Sequence, residues 1–129
     1  MRVALIAGLM AASLAFPAYA QDAAAGEKVF TVCRACHQIG PGAKNGIGPE
    51  LNGVVGRKAG SVEGYNYSPA NKNSGLTWTP EELNTYLENP QGVVHGTKMA
   101  FAGVKDATQR KNLIAYLAQF GPDGQKRTQ

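Results

Sequence analysis

Five consecutive residues, Cys33-Arg34-Ala35-Cys36-His37, carry the most chemistry in this chain. Two thiols three residues apart with an imidazole next to the second form C-x-x-C-H, the attachment signature of a c-type haem. On one helical turn, positions i, i+3 and i+4 share a face. Cys33 and Cys36 can then each form a thioether with one porphyrin vinyl group, while His37 reaches the iron. Other chemistries fit less well. A dithiol redox site belongs in a βαβ pattern, which is absent here. Zinc has four candidate ligands in Cys33, Cys36, His37 and His95, but adjacent Cys36 and His37 suit one tetrahedral ion poorly. A disulfide across two residues would be strained and leaves His37 unused.

The ligand facing His37 decides what a haem would do. Met99, His95 and Lys98 are the candidates on the same chain. Met99 sits in Gly96-Thr97-Lys98-Met99, between two helical patterns rather than on an apolar helix stripe. A His/Met pair raises the haem potential and suits a one-electron carrier. An open or labile sixth position suits a protein that binds diatomic ligands or peroxide, and that is the alternative function.

These residues need elements to hold them. Asp22 is placed to cap a helix over residues 23–33, with Ala25, Val29 and Val32/Cys33 as its apolar face. A short helix is expected over residues 68–73, closed by Gly75. Thr79-Pro80-Glu81-Glu82 reads as a capping box with proline at the first helical position. The helix it starts carries Leu83, Tyr86 and Leu87 and ends before Pro90. The last helix starts near Asp106, carries Leu113, Ile114, Leu117 and Phe120, and stops at Gly121-Pro122. Residues 40–78 contain nine glycines and no sustained period, and residues 123–129 read as a frayed tail. So long an irregular stretch needs an organiser, and a large apolar guest would serve.

The 129 residues suffice for one domain. Arg2, an uncharged apolar run over residues 3–16 and Ala18-Tyr19-Ala20 have the grammar of a secretory signal peptide cleaved after Ala20. Residues 21–129 are then the single domain, Met99 is its only methionine, and the expected location is the periplasm. Without Arg2 the chain has 12 basic and nine acidic residues. That mild excess argues against nucleic acid as a partner.

Beyond its pentapeptide the chain resembles the class I c-type cytochromes, in particular the bacterial cytochromes c2 close to the mitochondrial protein. The resemblance rests on Cys33–His37, residues 48–57, 65–72 and 87–90, and Gly96-Thr97-Lys98-Met99-Ala100-Phe101. It implies an all-α fold, with three main helices, short helices and glycine-rich loops wrapped around one covalent haem c. It also implies that His37 and Met99 are the axial ligands and that the Pro49 carbonyl accepts the other ring N–H of His37. Arg57, Tyr67 and Trp78 would bond the propionates, and Asn71, Tyr86 and Thr97 would form a polar network behind Met99. Gly26 would let the first helix cross closely against Leu113 and Tyr116.

The resemblance further implies a monomeric electron carrier rather than an enzyme. Its donor would be a quinol–cytochrome c reductase, and its acceptor a terminal oxidase or photosynthetic reaction centre. Some residues depart from the pattern. The approach to Cys33 is one residue short, which bears on Phe30. His95 stands where proline is common, and Val32, Gln91 and Gly92 stand where mitochondrial relatives carry lysines. Lys28, Lys98 and Lys105 remain, with Arg34 and Lys44 nearby on the chain.

Overall fold

The structure, a computed structural model, describes residues 21–127 and Gly8; the rest of the expected signal peptide lies outside the described residues. Among the described residues five helices follow in order: α1 (Ala23–Phe30), α2 (Pro69–Lys72), α3 (Pro80–Glu88), α4 (Pro90–Val93) and α5 (Ala107–Ala118). Among the described residues the only β pairing is two isolated bridges, Lys58 with Thr77 and Phe120 with Lys126. The class is all-α.

Each helix starts where a short polar side chain accepts an otherwise unpaired N–H. Asp22 accepts from Ala25, Ser68 from Asn71, Thr79 from Glu82, Asn89 from Gly92 and Asp106 from Gln109. Only half of the capping box expected at Thr79 is made. Its hydroxyl takes the Glu82 N–H at 3.1 Å, while its own N–H goes to the Thr77 carbonyl at 2.8 Å. Pro90 ends α3 as expected, but it also opens α4, which the sequence reading missed.

The helix expected over 23–33 stops at Phe30, and of the anticipated face Val29 and Cys33 pack partly buried against the core. Gly26 and Phe30 are buried, whereas Val32 is 59% exposed. Phe30 is fully buried, with its ring 5.3 Å from that of Tyr116. Gly26 is the crossing point of α1 and α5. A Cβ there would collide with the Asn112 carbonyl and come within 2.9 Å of Tyr116 Cβ. The close neighbour besides Tyr116 is therefore Asn112, one residue before the expected Leu113. Leu83, Tyr86 and Leu87 of α3, and Leu113, Ile114, Leu117 and the following Phe120, are all buried as their spacing required.

Residues 40–78 form the expected irregular wrap apart from α2. They are secured at their far end where Gly56, Arg57 and Ala59 exchange main-chain bonds with Leu76 and Trp78. The tail is not frayed as far as it is described. It turns back so that the Arg127 N–H reaches the Gln119 carbonyl at 2.7 Å.

Candidate functional site

Beyond Phe30 the chain continues in turns that shape the pentapeptide. The Cys33 N–H bonds the Phe30 carbonyl at 2.8 Å, and the His37 N–H bonds the Cys33 carbonyl at 2.9 Å. That last bond closes one α-helical turn across the motif, so Cys33, Cys36 and His37 share a face. All three line a cleft of about 400 Å³, within the size range of ligand pockets.

The imidazole is fixed. Its Nδ1–H donates to the Pro49 carbonyl at 2.8 Å, which leaves the Nε2 lone pair to coordinate. Burial pushes the His37 pKa below its ordinary value, against an upward pull from the Pro49 bond. The ring is accordingly kept neutral, as a metal ligand must be. Cys33 is pushed up to about 11, first by burial and then by the neighbouring Cys36. A thiol held protonated in this way is a poor redox nucleophile. Among the described residues no group of three His, Cys, Asp or Glu side chains could hold a metal ion.

Met99 lines the same cleft, and His95 does not. His95 is an exposed loop residue. The Tyr86 hydroxyl donates to Met99 Sδ at 3.1 Å, and the Met99 N–H donates to Thr97 Oγ1 at 3.2 Å. Burial raises the Tyr86 pKa, with a smaller downward pull from the Thr97 hydroxyl, so the phenol stays a donor. Asn71 lines the cleft too, but it does not join this pair. Its Oδ1 is buried and has no hydrogen-bond partner.

Arg57, Tyr67 and Trp78 also line the cleft. One Arg57 nitrogen donates to the Asn52 carbonyl at 3.0 Å and lies 3.7 Å from Glu50, which leaves other donors of its fork available. Burial lowers the Arg57 pKa, and a cation withdrawn from water in this way favours a nearby anion. Tyr67 accepts the Val62 N–H at 3.0 Å, so its own O–H can still donate. Burial raises the Tyr67 pKa. Trp78 is buried, with its ring centroid 4.6 Å from that of Tyr86.

The residues present fit a haem. Aliphatic and aromatic walls from Phe30, Leu51, Val54, Leu83, Leu113 and Leu117 suit a flat apolar ring. Arg57 and Tyr67 supply partners for carboxylates, and the orphaned Asn71 Oδ1 marks a polar atom made for a group the protein itself does not supply.

Sequence reasoning missed two features of the site. Val32 and Ile47 both line the cleft and are 59% and 76% exposed, so they form an apolar lip at its mouth. Arg110, read only as part of a helix, is buried and donates to the Val104 and Lys105 carbonyls at 2.9 and 3.0 Å. It thereby ties down the segment after Met99. No side-chain period signals either feature.

The cytochrome c family model matches residues 23–121. The chain is 57% identical to cytochrome c2 of Blastochloris viridis over 125 residues, which covers 95% of this chain and 98% of that one. It is 58% identical to cytochrome c2 of Rhodoblastus acidophilus over 107 residues, 83% of this chain and all of that one. Among solved structures it is similar to cytochrome c2 from Rhodospirillum centenum, with a TM-score of 0.74 and 43% identity over 78% of this chain and 99% of that one. It is also similar to cytochrome cH from Methylobacterium extorquens, with a TM-score of 0.71 and 50% identity over 75% of this chain and 97% of that one.

Proposed function

The chain belongs to the cytochrome c family, electron-transfer proteins with one covalently attached haem c, and from that premise we propose that it is a periplasmic one-electron carrier with His37 and Met99 as its axial iron ligands. The observation that carries this reading is that one cleft gathers Cys33, Cys36, His37 and Met99 from distant parts of the chain. When bound, the haem supplies a ferric/ferrous couple exchanging one electron.

The protein's own residues do the rest. Cys33 and Cys36 anchor the ring through thioethers. The Pro49 carbonyl keeps the His37 ring oriented and strengthens it as a donor, while Tyr86 draws electron density from the Met99 sulfur. Arg57, Tyr67 and Trp78 would bind the propionates, and Asn71 and Thr97 would supply polar support near Met99. The apolar walls keep water from the iron, which limits reorganisation and raises the potential.

Cleavage after Ala20 would release residues 21–129 into the periplasm. There the protein would take electrons from a quinol–cytochrome c reductase and pass them to a terminal oxidase or photosynthetic reaction centre, docking briefly at the cleft mouth as a monomer. Some of the cations that would steer that docking are held in place without losing their charge. The Lys98 ammonium bonds the Asn66 carbonyl, and that of Lys105 bonds the Glu88 carbonyl at 2.6 Å. Arg34 donates to the Tyr116 hydroxyl at 3.2 Å and lies 3.9 Å from Glu27. The exposed Val32 and Ile47 at the cleft mouth would add apolar contact.

Mass spectrometry of the exported protein tests this reading. The expected mass is the chain from Gln21 plus one haem, and the ferrous form should bind carbon monoxide only slowly. A colourless product, or rapid carbon monoxide binding, would overturn it.

A further inference from the structure

Two chain segments, residues 37–40 and 49–53, lie side by side and are joined rung by rung. The His37 ring donates to the Pro49 carbonyl at 2.8 Å, and the Leu51 N–H to the Gln38 carbonyl at 2.9 Å. The buried Asn52 amide then takes the Gly40 N–H at 2.8 Å and gives to the Gly40 carbonyl at 2.9 Å. One end of this ladder is the imidazole. The other end is covered by the C-terminal segment, which lies past residue 121, where the family match stops.

Main-chain bonds hold that segment in place. The Gly121 N–H reaches the Gln125 carbonyl at 3.0 Å, Arg127 returns to Gln119, and Phe120 pairs with Lys126. The Gly53 N–H reaches the Phe120 carbonyl at 3.2 Å, so the ladder is bonded to the end of the last helix as well. Gly124 is buried with φ +80°, in the left-handed region that favours glycine. A Cβ on it would collide with the Gly40 carbonyl and come within 2.8 Å of the Asn52 amide nitrogen. The tail therefore rests directly on the last rung.

We propose that residues 122–127 act as a clasp that positions His37. By closing the far end of the ladder, the clasp keeps the Pro49 carbonyl on the ring and so sets how strongly the imidazole donates to iron. The inference rests on His37 being an axial ligand. A ladder freed at one end frays toward the other, and a ring that loses its carbonyl partner becomes a weaker donor, which favours the ferrous state.

The test uses ferrous holoprotein in three forms: a chain truncated after Gly121, Gly124→Ala, and Gln125→Ala as a control at an exposed side chain. NMR follows exchange of the His37 ring N–H against that of the Leu83 amide, bonded to Thr79 in α3. Both tail variants should exchange the ring proton at least about tenfold faster with Leu83 unchanged, their potentials should rise, and the control should match the parent. Equal acceleration at both protons, unchanged exchange or an unmoved potential would overturn the clasp. If the parent's His37 ring proton lacks the shift of an iron-bound imidazole, the ligand assignment itself fails. If that shift is present and the tail variants behave like the control, only the clasp fails.

Discussion

Replacing Tyr86 by phenylalanine removes a single oxygen from the site. That hydroxyl donates to Met99 Sδ across 3.1 Å, and its raised pKa keeps the proton in place throughout the neutral range. The ring would stay packed on Trp78 at 4.6 Å, so the surroundings should persist. A donor on sulfur withdraws electron density and weakens the bond to ferric iron more than that to ferrous iron. Its removal should therefore stabilise the ferric form and lower the potential. A hydrogen bond of this kind contributes about 0.5–1.5 kcal/mol net. One-electron couples shift by about 59 mV per factor of ten, or roughly 1.4 kcal/mol; only the difference between the two oxidation states counts, so the drop should be a part of that worth, at most about 60 mV. Spectroelectrochemical titration of the Tyr86→Phe holoprotein at neutral pH measures it. A potential that rises, or stays within about 10 mV of the parent, would refute the claim that this hydroxyl tunes the sulfur.

Four further outcomes are expected. Met99→Ala should keep its haem, lower the potential and bind carbon monoxide quickly when reduced; an unchanged potential would transfer the ligand role to His95 or Lys98. Gly26→Ala, which forces a methyl into the Asn112 carbonyl, should cost about 2–3 kcal/mol and lower the Tm by roughly 10–20 °C, and a calorimetric scan matching the parent would refute the close crossing. Tyr67 and Tyr86 have pKa values raised above their ordinary 10.0, so the stability they contribute is complete below pH 10.0 and is lost as pH rises through the folded-state values; chemical denaturation should show Tyr86→Phe with a shallower alkaline decline. Electron transfer to a membrane partner should slow with added salt, but less than for a lysine-rich relative, and a rate constant at all ionic strengths would contradict the residual steering.

Legibility in the sequence followed the kind of force at work. Cys33–His37 stood out because bond geometry dictates its spacing, and α3 and α5 because their caps and apolar stripes are strong local signals. The apolar spacing of α1 shows Val29 but not the residues buried deepest, because Ala23, Ala24, Ala25 and Gly26 offer little contrast and the position against α5 is chosen by the absence of a side chain. Pro90 reads as a stop, yet its fixed φ starts a helix as readily as it ends one. The ordered tail escaped notice because main-chain bonds to Gln119 and Gly121 hold it, and these leave no trace in residue type. Asn71 is named only by the family resemblance, because no spacing signals a buried amide whose Oδ1 has no partner within the chain.

The crossing of α1 on α5 joins the two ends of the folded domain. A chain emerging amino end first must hold its first helix without a mate until the last residues arrive. Nothing shorter than nearly the whole polypeptide can finish the interior.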